Sequence, residues 1–414
     1  MSQIVDTLAG SGYGGLDEDK ALDLLNRRPC VFFIDGFDEL DASSREDPTE
    51  LRRLKTRFPE ARFVITSRPG EITSVGQVRE CVITPPEDPA QCIISHGIPE
   101  SLANRAVADM RNRKANAILT RPIFLSFVAR LLRETPNAQI PSVPGLLMRR
   151  VVNDFYIPEM LKHQRMSTDY GLTLEEKGDV LDGLALVAFT IIDRHELSGI
   201  TRSNCEGTLT QLFERKRRGN PPGDLAHNLF SALKLGGFLE ETSQNTFRFS
   251  HDMFRDYFAA CHLTTECGVK MFRASCKADL MALVMEKQKC MHAFDLLGDL
   301  QDPLAKREMI EWLVDRNPYL AARCFPRTPI VPSMEERLIQ RLTGIVEDRM
   351  RAPYFARFEA VQALITIDSR ECRTRLRAWL DADDPVLVGY LAGLCGVNPH
   401  RKFITGVGEW DMRA

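Results

Sequence analysis

Val31-Phe32-Phe33-Ile34-Asp35-Gly36-Phe37-Asp38-Glu39-Leu40 is the stretch whose reading decides the fold. An apolar run of β-branched and aromatic residues breaks off into three carboxylates within five positions. Such a run predicts a buried parallel strand that delivers acids to the edge of a sheet. In open α/β sheets that edge is where ligands bind.

Working outward, Leu51, Leu54 and Phe58 recur at helical spacing behind Pro48 and Thr49, and Arg62 to Thr66 forms a second apolar run. Strand, helix and strand in that order make a βαβ unit with parallel strands and a right-handed crossover. A third short run, Cys81 to Thr84, stops against Pro85 and Pro86. Residues 30–85 therefore read as the distal half of a doubly wound sheet. Upstream, Gly10-Ser11-Gly12-Tyr13-Gly14-Gly15 invites comparison with a phosphate loop, which needs Gly-x-x-x-x-Gly-Lys-Ser/Thr. Lys20 instead follows Asp19 and precedes Ala21, so the glycines read as a surface turn.

Beyond Glu87 helical periodicity takes over. Phe124, Phe127, Val128, Leu131 and Leu132 line one face of a helix that begins at Pro122, where a first-turn proline is tolerated. Further helices are expected at Pro144 to Leu161 and at Thr173 to Asp193, with Thr173 and Glu176 at capping-box spacing. Leu225, Phe230, Leu233 and Leu235 mark a helix that stops at Gly236-Gly237. Runs at Phe238 to Glu241 and Thr246 to Phe249 then flank Ser243-Gln244-Asn245 as a hairpin, and Ser250 can cap a helix from His251 to Leu263. Helix, hairpin and helix outline a winged-helix domain. From Lys270 onward helices alternate with short loops, and Phe355 to Ile367 with Cys372 to Leu380 has the layout of a solenoid repeat. A plain helical bundle is the competing reading of this tail.

With 414 residues the chain is too long for a single core, so roughly two to four domains are expected. Their expected bounds are 1–86, 87–170, 171–265 and 266–414. A net charge of -3 supplies no general attraction to nucleic acid or anionic lipid. The eleven cysteines are scattered without a Cys-x-x-Cys pair, which fits reduced thiols. Cys290 and His292 stand close in sequence, but two such residues read as helical packing rather than a zinc site. No signal peptide is evident after Met1, and Val180 to Ile192 is too short to span a membrane. A cytoplasmic location is the expectation.

The chemistry rests on Asp35, Asp38 and Glu39. An acid at a strand end can hold Mg²⁺ beside substrate phosphates, and a second acid can orient or deprotonate an attacking water. Capping of a following helix is the alternative. Thr66-Ser67-Arg68-Pro69 ends the neighbouring strand, so Arg68 would reach the same edge and could pair with a phosphate, or with Asp38 or Glu39.

These stretches resemble the NACHT NTPases, in the class of signal-transducing NTPases that includes the NOD-like receptors. Phe33-Ile34-Asp35-Gly36-Phe37-Asp38-Glu39-Leu40 resembles Walker B, and Phe63-Val64-Ile65-Thr66-Ser67-Arg68-Pro69 resembles sensor 1. Thr120-Arg121-Pro122-Ile123-Phe124-Leu125 resembles the helical lid. Phe249-Ser250-His251-Asp252-Met253-Phe254-Arg255-Asp256-Tyr257-Phe258-Ala259-Ala260 resembles the winged helix. The four occur in the family's order over about residues 1–265. The resemblance implies that Asp35 supports Mg²⁺, Asp38 and Glu39 assist hydrolysis, and Arg68 senses the terminal phosphate. It further implies that Pro122 packs near the base and that His251 touches the β-phosphate of bound ADP. For His251 alone, the residues read as a helix-start histidine packed on the hairpin.

One element of the family pattern is missing. No Walker A loop precedes Val31, and that loop's amides and lysine grip the β- and γ-phosphates. The alternatives are N-terminal truncation, which is the expectation, and a degenerate homologue; either way the chain alone should bind ATP or ADP weakly or not at all and be inactive. Three functions remain as expectations. The first is an ATP-controlled switch in defence or stress signalling, homo-oligomeric when active, with protein partners on its C-terminal helices. The second is a non-enzymatic helical-repeat scaffold. The third, a nucleic-acid binder using the winged helix and Arg215-Lys216-Arg217-Arg218, is disfavoured because such a basic run before Gly219-Asn220-Pro221-Pro222 reads as a solvated loop.

Overall fold

Strands β1 (Val31–Ile34) and β2 (Arg62–Ile65) pair in parallel, with Val31 opposite Arg62 and Ile34 opposite Ile65. The computed structural model describes residues 20, 31–34, 53, 55–66, 85–166, 177–194, 199–216, 221–243, 245–275, 279–300, 303–325 and 332–381. The chain divides into two compact units, Met1–Thr84 and Pro85–Ala414.

In the first unit Phe32 stacks on Phe63 with ring centroids 5.1 Å apart, and buried Phe58 lies 5.7 Å from Phe32. Residues 53 and 55–57 are helical, so this helical stretch leads through Phe58 into β2. The expectation of a buried strand needs correction, because Val31, Phe33 and Val64 are exposed, Phe33 by 77%. A parallel pair is buried only when both of its faces are covered. Here the Phe32–Phe63 side is packed and the alternate positions are open. The run expected at Cys81 to Thr84 lies outside the described residues.

Among its described residues the second unit is helical apart from loops and one small sheet. Helices α1 (Pro89–Ser95), α2 (Glu100–Asn112), α3 (Asn116–Leu119) and α4 (Pro122–Glu134) open it. Asp88 caps α1 through the Ala90 amide at 2.9 Å, and Pro122 is the first residue of α4. The stretch expected as one helix from Pro144 to Leu161 is α5 (Pro144–Val151) and α6 (Ile157–Met166) joined by a π turn at Val152–Tyr156. Thr173 and Glu176 lie outside the described residues, and helix α7 is described over Lys177–Asp193. Every position of α7 from Gly183 to Ile192 is buried, as a central core helix requires.

Around α7 the order is β3 (Ile200–Thr201), α8 (Arg202–Lys216), α9 (Pro222–Leu235), β4 (Leu239–Ser243), β5 (Thr246–Phe249) and α10 (Asp252–Leu263). The three strands form an antiparallel sheet in the order β3-β5-β4. Gly237, with φ +71°, reverses the chain after α9, and Asn245, with φ +63°, closes the hairpin. Both positions need the left-handed conformation that glycine and asparagine tolerate best.

The tail continues through α11 (Glu266–Ser275), α12 (Leu280–Asp299), α13 (Pro303–Arg316), α14 (Pro318–Cys324), α15 (Pro332–Glu347), α16 (Tyr354–Ile367) and α17 (Arg370–Asp381). α14 packs on α12 and α16, and α15 packs on α16. Fully buried Tyr319 donates to the Ala356 carbonyl at 3.2 Å. Buried Lys287 joins Glu359 at 2.7 Å and Gln362 at 3.1 Å, so polar contacts as well as apolar packing fix how these helices stack. Among the described residues no helix is long and apolar enough to cross a membrane.

Candidate functional site

Of the residues singled out for nucleotide chemistry, Asp35, Asp38, Glu39 and Arg68 lie outside the described residues. Pro122 and His251 are described, and both are exposed at the starts of helices, α4 and α10. The two helices meet through Phe127 and Phe254, whose rings are 6.1 Å apart. Phe254 also meets Tyr156 at 4.8 Å and Phe238 at 5.7 Å. This aromatic cluster holds the first turn of α10 against the rest of the fold.

His251 itself is the N-cap of α10, correcting the expectation that Ser250 plays that part. The backbone at His251 is extended, and its Nδ1 accepts from the Met253 amide at 3.0 Å. Ser250 instead gives its amide to the Phe238 carbonyl at 3.0 Å, which ties the hairpin end to the start of β4. Accepting at Nδ1 leaves the ring proton on Nε2, because a neutral imidazole carries one donor and one acceptor. A helix start with an added N–H donor is suited to an anion. In the next turn Arg255 pairs with Asp252 at 2.8 Å and with buried Asp256 at 3.0 Å. Burial raises the Asp256 carboxyl above its usual range, and the Arg255 charge offsets only part of that.

A second cluster, which the sequence did not point to, lies near the other end of α10. A cavity of about 500 Å³ is lined by residues of α5, the π turn, α7, α8, α10 and α11. Its apolar lining includes Leu181, Leu186, Leu212 and Phe258, and its polar lining includes Arg149, Asp182, Arg215, Lys216 and His262. Lys216 Nζ lies 2.6 Å from both Asp179 Oδ1 and Asp182 Oδ2. Burial pulls the Lys216 ammonium down, but its bonds to the two carboxylates outweigh this and hold it above its usual range. Arg215 donates to Cys267 Sγ at 2.9 Å. The basic run expected as a loop is thus helical at its first two residues, because Lys216 has acids on α7 to close against. Arg217 and Arg218 lie outside the described residues.

His262 is buried, its ring 4.9 Å from Phe189, and its Nε2 has no hydrogen-bond partner. Burial first, and the Arg215 charge second, hold its pKa down at about 4, so the ring is neutral near pH 7. Burial likewise pushes the neighbouring Cys261 thiol up to about 11, which removes it as a nucleophile near pH 7. A buried histidine and an exposed arginine 113 positions apart carry no shared sequence signature, so only the fold brings His262 and Arg149 to one cavity.

No protein-family model matches the chain, and no curated protein matches it.

Proposed function

We propose that this chain is the Walker B, lid, winged-helix and helical-repeat part of a NACHT-type ATPase switch. One observation carries the reading: β1 and β2 are parallel and in register, ending together at Ile34 and Ile65. In the sequence Asp35 follows Ile34 directly and Arg68 comes three positions after Ile65, the order this reading requires. The order β3, α8, α9, β4, β5 after a core helix, with strand order β3-β5-β4, supports the winged-helix assignment. The stacked helices of the tail support HEAT-like repeats.

In this reading Asp35 would hold Mg²⁺, which would neutralise charge on the ATP phosphates. Asp38 and Glu39 orient the attacking water and take its proton, and Arg68 balances charge at the terminal phosphate. Pro122 borders the base. His251 donates from Nε2 to the β-phosphate of ADP, and losing that bond releases the winged helix toward an open, oligomeric form. The output is defence or stress signalling through protein partners on the tail.

Phosphate release from ATP by the natural full-length protein tests this. Replacing Asp38 and Glu39 together by Asn and Gln is expected to lower turnover by at least about a hundredfold, as loss of positioning and general-base groups does. Equal turnover in parent and variant would sink the proposal. A scaffold without catalysis is the second reading, favoured by the polar and apolar ties among α12, α14 and α16. Nucleic-acid binding gains no support, since α9, which would enter a groove, carries one acid, Asp224, and one lysine, Lys234, that is paired with Glu241.

A further inference from the structure

The cavity near the C-terminal end of α10 is separate from the His251 position. His251 and His262 are eleven residues apart, roughly 16 Å along the helix axis. Its volume of about 500 Å³ falls in the range of sites for small organic molecules. The charges on its wall do not cancel. Lys216 is spent on Asp179 and Asp182, while Arg149 and Arg215 face the same space without a carboxylate partner among the described residues. Neutral His262 adds a buried nitrogen whose hydrogen-bonding capacity is unused. Leu181, Leu186 and Leu212 line the same cavity.

We propose that this cavity binds a small amphipathic anion, one carboxylate or phosphate group on an apolar body. Arg149 and Arg215 hold the anionic group, and the leucines of α7 and α8 hold the body. Two cations in a cavity with apolar lining favour a ligand carrying both features over a bare ion or a neutral hydrocarbon. Because its walls come from α5, α7, α8, α10 and α11, an occupant fastens these helices to one another, whatever binds at the start of α10. Occupancy of this cavity does not depend on ATPase chemistry at the sheet edge.

Titration of the whole chain with 1-naphthyl phosphate and with 1-naphthoate tests both anionic groups. One or both should bind at one site per chain, and 1-naphthol and inorganic phosphate should each bind at least about tenfold more weakly. Arg149→Gln and Arg215→Gln change exposed residues and should fold, and each should weaken the tighter naphthyl anion about tenfold. The His262 ring resonances, assigned with His262→Gln, should move on binding, with the ring titrating at higher pH in the complex. Absence of binding by both naphthyl anions would overturn the proposal. So would equal affinity for naphthol or inorganic phosphate, unchanged binding in both arginine variants, or an unmoved His262 signal at saturation.

Discussion

The Gly145 amide donates to the Asp299 carboxylate at 2.8 Å, across 154 positions of sequence. Gly145 is the second residue of α5, whose own N-cap position, Val143, has no side chain able to cap it. Asp299, the last residue of α12, supplies the missing acceptor and sits at the positive end of the α5 dipole. Asp299→Ala should cost about 1 kcal/mol, the ordinary cost of a lost cap. Gly145→Ala should cost more, since a Cβ there would lie 2.6 Å from Asp299 Cβ and 2.9 Å from the Leu296 carbonyl oxygen. Urea unfolding of both variants reads this ranking, and an unchanged midpoint for Asp299→Ala would rule the cap out as a source of stability.

Lys287 and Glu359 form a buried pair between α12 and α16. Removing one partner leaves a charge buried without its counterion, so Lys287→Met should cost about 3 kcal/mol or more. The double change Lys287→Met with Glu359→Leu should recover most of that, because an apolar pair carries no desolvation penalty. A double variant as unstable as the single one would show that packing at the site, not charge, sets the loss.

His262 predicts a pH dependence. Its folded pKa of about 4 lies below the unfolded value of 6.5, so below pH 6.5 the unfolded chain binds a proton that the folded chain refuses. Stability from this group is therefore intact above pH 6.5 and is lost as the pH falls toward 4. Between pH 7 and pH 5 the loss should be about 2 kcal/mol. His262→Phe should flatten this part of the profile, as read by denaturant midpoints across the range. A parent and variant with parallel profiles would remove His262 as the cause.

His251 separates capping from ligand contact. His251→Ala should lower stability by about 1 kcal/mol through loss of the bond to Met253. His251→Asp restores a cap but places a negative charge where the β-phosphate would lie. Under the ATPase reading it should keep parental stability and bind ADP at least about tenfold more weakly in the natural full-length protein. Parental ADP affinity in the Asp variant would remove His251 from the phosphate contact.

Local signals in the sequence carried much of the described architecture. Pro122 at a helix start, Gly237 after α9 and the Thr246 to Phe249 strand are each decided by a few neighbouring residues, and each falls where its pattern indicates. Burial was less legible. The Val31 to Ile34 run looks like core, yet covering both faces of a strand depends on elements elsewhere in the chain. Capping also misled: Ser250 and His251 both offer an acceptor, but the helix begins at Asp252, so His251 stands at the cap and accepts from the Met253 amide. The cavity around His262 was invisible because its walls meet only after α5, α7, α8, α10 and α11 have packed.

The π turn at Val152–Tyr156 also fixes a phase. Buried positions on this helix fall at Leu147, Met148, Val151 and Val152, and then at Ile157, Met160 and Leu161. The five-residue step from Val152 to Ile157 turns α6 by roughly 100° against an uninterrupted α-helix. That turn brings Phe155 and Tyr156 to the Arg130 guanidinium, at 5.3 and 4.8 Å, and seats Met160 against Gly236. Deleting one residue from this stretch would let the helix close into regular α geometry with Met160 and Leu161 still on the core side, because the step from Val152 would then be the ordinary four residues. The extra residue therefore serves the outward placement of Phe155 and Tyr156 beside Arg130, and the core stripe of the helix runs on past it unbroken.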